Sequence, residues 1–138
     1  MTAHKITQDM LPAMQGVIPA VLTTSSADGT PNVTAISQVY YVDVEQIAIS
    51  RQFFNKTVRN LSENPKLAVM ITCPETFSMW KIGLRFIESQ SKGPLYEQMA
   101  MQLEAIATMQ GMTDVFSLMS ADICAVESIE MLYDGRGV

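Results

Sequence analysis

The chain has 138 residues, 48% of them hydrophobic and 17% charged, and a formal net charge of −5. That size and balance define one folded domain, exclude a long disordered tail, and disfavour nonspecific attraction to nucleic acid or an anionic membrane. Two cysteines without CxxC spacing, Cys73 and Cys124, and a lone histidine, His4, exclude a conventional zinc site and leave Ser-His-Asp or Cys-His catalysis only a base at a chain end.

"TQDMLPAM" reads as a short helix capped by Thr7, with Leu11 and Met14 turned inward and Pro12 limiting its length. "GVIPAVLTTS" and "TPNVTAISQVYYV" flank Asp28-Gly29, which predicts a hairpin of two antiparallel strands, with Pro19 suggesting an edge or a bulge. "EQIAIS" follows a turn near Asp43 as a third strand, and "KLAVMITC" is a fourth, entered directly after Pro65. In "MWKIGLRFIES", Trp80, Ile82, Leu84 and Phe86 share one parity until Ile87 breaks it, predicting a long strand with a bulge or bend. "GPLYEQMAMQLEAIATMQGM" is helical, with Pro94 in its first turn, an apolar stripe of Leu95, Met99, Leu103 and Ile106, and Gly111 to end it. A final strand alternates Ala121, Ile123, Ala125, Ile129, Met131 and Tyr133 with Asp122, Ser128 and Glu130, as a half-buried strand should. Six strands, with short flanking helices and the main helix between the fifth and sixth, predict a mainly β, antiparallel single-domain barrel. No run approaches the roughly 20 apolar residues of a membrane span, and "MTAHKITQDM" lacks the apolar core of a secretory signal, so a cytoplasmic protein with reduced thiols is expected.

One stretch runs against the acidic balance: "SRQFFNKTVRNLSENPKL" holds Arg51, Lys56, Arg59 and Lys66. Asn55 suits the cap of a helix over 56–63, with Val58 and Leu61 inward and Pro65 preventing continuation. Lys56 and Arg59 then occupy the first turn and Glu63 the last, so the charges oppose the helix dipole at both ends, at roughly 0.3–1 kcal/mol each. An anion bound at the amino end reverses the sign of that cost. The N–H groups and hydroxyl at Lys56 and Thr57, with the cations of Lys56 and Arg51 and the strand end Ser50-Arg51, suit a phosphate. The alternative is a solvated, charged helix that only aids solubility.

These residues carry a resemblance. "PAVLTTSSADGTPNVTAISQVYYV", followed by "IAISRQFFNKTVRNLSENPKLAVMI" with its Lys-Thr-x-x-Asn-Leu-x-x-Asn-Pro segment, resembles the pyridoxamine 5′-phosphate oxidase-like family of FMN-binding split barrels over residues 8–72. The later order of long strand, helix and last strand matches more loosely. The resemblance implies a six-stranded split barrel and a homodimer holding FMN in a cleft between subunits. It implies phosphate contacts from Arg51, Lys56 and Thr57 with Ser50 and Asn55 nearby, and Thr34, Ala35, Ile36 and Ser37 along the flavin ring. Trp80, Lys81 and Arg85 would approach from the partner subunit, Trp80 having ordinary interface packing as its alternative.

The family's pattern fails at one point: the oxidase itself reads vitamin B6 through a carboxy-terminal arginine and histidine, whereas "MLYDGRGV" has Arg136 and no histidine. Oxidation of vitamin B6 is therefore not expected. With His4 as the one imidazole, haem is disfavoured, while a deazaflavin would use the same phosphate cradle. The expected protein is an FMN-dependent oxidoreductase exchanging electrons with a small donor or acceptor, with no side chain nominated as catalytic acid or base. A flavin-binding sensor or store without turnover is the other reading.

Overall fold

The computed structural model describes residues 5–14, 18–36, 39–51, 64–109 and 118–136. A 3-10 helix, Gln8–Met14, precedes strands β1 (Ala20–Ser25), β2 (Pro31–Ile36), β3 (Val39–Asp43), β4 (Gln46–Arg51), β5 (Lys66–Thr72) and β6 (Met79–Gln90). Helix α1 (Pro94–Met109) and strand β7 (Ser120–Tyr133) complete it. Every pairing is antiparallel, and the seven strands form one sheet in the order β2-β1-β5-β6-β7-β4-β3.

The strands β2 and β3 stand at opposite ends of that order yet are consecutive in the chain. Ile36 and Val39 are three residue steps apart, a reach of roughly 11 Å at most, so the sheet must curl until its two edges approach. Among the described residues β2 and β3 are not paired, which leaves the barrel open along that seam. The expected second strand is therefore two, the count is seven rather than six, and the main helix lies between the sixth and seventh. The reason is visible in burial: Ile36 and Val39 are both buried, although a continuous strand would put residues three apart on opposite faces. Pro19 precedes β1 instead of marking an edge; β1 lies between β2 and β5.

The β1–β2 hairpin turns where Asp28-Gly29 predicted. Gly29 has φ +87°, a conformation that favours glycine, and its N–H donates to Ser26 O at 3.0 Å. The Asp28 carboxylate accepts from the Ser26 hydroxyl, and from Thr30 through its N–H at 3.0 Å and hydroxyl at 2.8 Å. These bonds, led by that from Ser26, lower its pKa from 3.8 to about 2. Because folding lowers this pKa, the ionised carboxylate stabilises the hairpin above pH 3.8 and that contribution is lost as the pH falls towards about 2. Thermal unfolding across this acid range should show Asp28→Asn losing part of the pH dependence of the unchanged chain; superimposable profiles would contradict it.

The barrel interior is apolar: Leu22, Ile36, Ile47, Ile49, Val69, Ile71, Ile82, Leu84 and Cys124 pack there, closed at one end by Met10, Ala13 and Met14 of the 3-10 helix. A second cluster lies outside it, where Met99 and Leu103 of α1 meet Ala48, Ala121 and Ile123. Met99, Leu103 and Ile106 of the predicted stripe are buried and Leu95 is half-buried; Gly111 lies outside the described residues. In β6, Trp80, Ile82 and Leu84 face inward, and the register shifts between Phe86 and Glu88, where Ile87 breaks the alternation. Its neighbour β7 departs from the expectation. Residues 120–124 are buried on both faces, by the barrel on one side and α1 on the other, so Asp122 is inside and not in solvent.

Candidate functional site

The strand β4 carries Ile47 and Ile49 into the barrel and Ala48 towards α1, and ends at Ser50-Arg51 as predicted. Ser50 is fully buried, opposite Ala121, and the backbone of Arg51 pairs with Ser120. Asn55, Lys56 and Thr57, and the helix expected over 56–63, lie outside the described residues, as does Ser37. The return of the chain is anchored by the asparagine of the Asn-Pro motif. Asn64 Nδ2 donates to Ser25 Oγ at 3.0 Å, and its Oδ1 accepts the Lys66 N–H at 3.1 Å. Phe86 N–H donates to Pro65 O at 2.8 Å, which seats this corner on β6.

The strand β2 brings the other predicted segment to the same end. Thr34, Ala35 and Ile36 pair with Leu22, Val21 and Ala20. Ile36 is buried, Thr34 half-buried, and Ala35 exposed on the outer face. Ile36 lies three residues from Val39, and Val39 pairs with Ile49, two residues before Arg51. The end of β2, the open seam and the end of β4 therefore share one corner of the barrel. Trp80 stands level with Ile36 across β1 and β5 but away from the end of β4. It is 5% exposed inside the barrel and pairs with Met131, at the far end of β7 from Ser120, on the order of 35 Å along the strand. Lys81 and Arg85 are exposed on the outer face of β6, and Arg85 Nε meets Glu127 Oε2 at 3.2 Å, a surface pair of little energetic weight.

Two features escape a reading of the sequence. One is a polar knot behind the end of β4: Asp122 Oδ1 accepts from Ser89 Oγ at 2.7 Å and from Ser120 Oγ at 2.8 Å, and Asp122 is 3% exposed. Its signal, an acid flanked by serine two residues back, is too common to single out. The other is a cavity of about 260 Å³ on the outer face, lined by Val21, Thr23, Ala68, Met70, Lys81 and Leu132. Strand alternation displays these residues only once the register of four strands is known. Among the described residues no group of three or more His, Cys, Asp or Glu is placed to hold a metal, and no helix is long and apolar enough to cross a membrane. Both cysteines are buried thiols, and the Thr76 hydroxyl beside Cys73 lowers its pKa below the ordinary thiol value.

An antiparallel, seam-opened barrel with a cationic strand end at the seam defines a class, the split barrels, and comparison with known proteins agrees. The family model described as pyridoxamine 5′-phosphate oxidase matches residues 6–122, and the chain belongs to that family. An uncharacterised protein of Methanocaldococcus jannaschii is 37% identical over 67 residues, 47% of this chain and 44% of that protein, so the match spans less than half of that relative. Among solved structures, an FMN-binding protein from Syntrophomonas wolfei superposes with TM-score 0.74 at 16% identity, over 91% of this chain and 88% of the other. An F420 reductase gives 0.65 at 12% identity over 91% and 98%. The haem storage protein HutZ of Vibrio cholerae gives 0.53 at 17% over 82% and 84%. At these identities the structural likeness establishes the fold and no ligand.

Proposed function

We propose that this chain binds FMN at the seam corner and works as a dimeric FMN-dependent oxidoreductase of the cytoplasm. The observation that carries the reading is the convergence of β2 and the Ser50-Arg51 end of β4 on one corner, immediately before the cationic segment that contains Lys56 and Thr57. Arg51, Lys56 and Thr57 hold the phosphate in this reading, Ser50 and Asn55 support them, and Thr34, Ala35, Ile36 and Ser37 flank the ring. Bound FMN supplies two-electron exchange between a small donor and acceptor. The chain's own part is to fix the phosphate, shield the ring from water and present one of its faces. A deazaflavin fits the same cradle, whereas a chain with one histidine is a poor haem host.

The purified protein tests this directly. A flavin absorption spectrum, with bleaching by NADH or NADPH and repeated reoxidation by an added acceptor, supports an enzyme; inert bound flavin moves the protein to the sensor or store class. Colourless protein with no FMN affinity removes the reading.

The outer sheet face supports the dimer. Val33, 64% exposed, and Leu132, 45% exposed, lie on it with the half-buried Val21 and Met70, and Lys81 stands opposite Glu130. A two-fold contact needs a patch complementary to itself, and an apolar centre bordered by both charge signs meets that need. In this reading the second copy covers that face and brings its Lys81, Arg85 and Trp80 region towards the cleft. Met70→Glu should convert a dimer to a folded monomer in sedimentation velocity; an undisturbed dimer would assign the contact elsewhere.

A further inference from the structure

Beside the seam, the 3-10 helix, β3 and α1 border a cavity of about 250 Å³ lined by Leu11, Met14, Val39, Tyr40, Tyr41 and Gln102. The edge position of β3 makes it possible. Consecutive strand residues point to opposite faces, and Val39 belongs to the barrel core while Tyr40 packs towards α1. Because β3 ends the strand order, side chains from both of its faces can line one space. Gln98 and Gln102 are four residues apart on α1 and so share the flank that faces this strand. The Tyr40 hydroxyl donates to Gln98 Oε1 at 3.0 Å, which fixes the ring, and Gln102 reaches the cavity one turn further on.

We infer that this cavity binds a small, uncharged aromatic molecule. Its floor is apolar, since Met14 and Val39 are buried. Tyr40 and Tyr41 offer ring surfaces, and the Met14 thioether is a soft partner for an aromatic edge. The Gln102 carboxamide has both donor and acceptor chemistry to match one polar group on the ligand. Among the described lining residues none is charged, so an ionised group that left water here would meet no counter-charge. Drug-sized ligands occupy roughly 300–1,000 Å³, so this smaller volume suits a molecule of one ring. Val39 pairs with Ile49, two residues before Arg51, which puts the cavity next to the proposed flavin corner; the site itself does not depend on that reading.

Benzamide is the probe, with benzoate and benzylamine as charged relatives of the same ring at neutral pH. Ligand-observed NMR titration of the purified chain should give benzamide a Kd of about 1 mM, the scale of a fragment-sized ligand, and both charged relatives at least about tenfold weaker affinity. Leu11→Trp, which fills the cavity from the 3-10 helix, should abolish binding. Tyr41→Ala, at a residue 37% exposed, should weaken it about threefold to tenfold. Gln102→Glu keeps the shape and adds a charge, so it should tighten benzylamine about tenfold while weakening benzamide, a gain that an unfolded chain could not show. That variant carries the test if thermal unfolding shows the other two to be misfolded. Saturating FMN should leave benzamide affinity unchanged. No benzamide binding at about 10 mM, equal affinity for all the probes, or variants that bind them like the unchanged chain would overturn the site. Displacement of benzamide by FMN would overturn it too, by giving the cavity to the flavin ring. The titrations of the chain alone need no flavin, so a failure of the FMN reading leaves this test standing.

Discussion

Arg51→Ala and Lys56→Ala should each weaken FMN binding by about 1.5–3 kcal/mol, roughly ten to over a hundred times in Kd, while leaving the fold intact. The expectation follows from what each charge does in the empty protein. In the helix the sequence predicts over 56–63, a cation in the first turn works against the dipole, and the cluster of like charges in this segment adds nothing to folding stability. Their removal therefore costs the fold little. A dianionic phosphate reverses both terms and gains a charge-assisted hydrogen bond from each. The effects of the two substitutions should be nearly additive only if both groups touch the phosphate independently; a double variant far weaker or far stronger than the sum would mean that one positions the other. Flavin fluorescence titration at a fixed salt concentration measures this, and both variants binding like the unchanged chain would remove the cradle.

The largest expected loss of stability comes from Ile82→Ala. Ile82 is fully buried at the middle of β6, between Val69 of β5 and Ile129 of β7, in the barrel interior. Deleting most of a buried isoleucine removes its transfer free energy and leaves a cavity that a barrel paired on both sides cannot collapse, about 2–5 kcal/mol. For a domain of this size that lowers the thermal midpoint by roughly 10 °C. Ile87→Ala is the control on the same strand. It is 48% exposed at the register shift itself, and its change should stay within about 0.5 kcal/mol. Saturating FMN should raise the midpoint of both variants, since a ligand held only by the folded form stabilises it whatever the mutation. Equal destabilisation at the two isoleucines would contradict the inward and outward assignment of β6.

Local chemistry made much of this architecture legible. Asp28-Gly29 turned where its residue types favour a positive φ, Pro65 marked the entry to β5, and the parity break at Ile87 located one of the three register shifts in β6. The spacing of Met99, Leu103 and Ile106 gave the inner face of α1. The order of β1 to β4 and the motif ending in Asn64-Pro65 were enough for the family. Where the reading failed, the cause lay in neighbours remote in sequence. "TPNVTAISQVYYV" reads as one strand because every residue in it suits a strand; it is two because its halves serve opposite edges of a curled sheet.

The hairpin at Asp28-Gly29, the entry to β5, the main helix, the acidic balance and the cationic segment after β4 were settled by sequence alone, because each depends on contacts within a few residues or on composition. Pairing partners decided the rest. Only the assembled sheet makes the ends of β2 and β4 neighbours, sends Trp80 to the far end from Arg51, and exposes Val21, Met70 and Leu132 on one outer face. Asp122 shows the division most plainly. Its place in an alternating strand assigns it to water, yet α1 covers Ala121 and Ile123 on the other face and leaves Asp122 on the barrel side beside Ile49 and Ser89, because burial is a property of what the chain brings back across a strand and not of the strand itself.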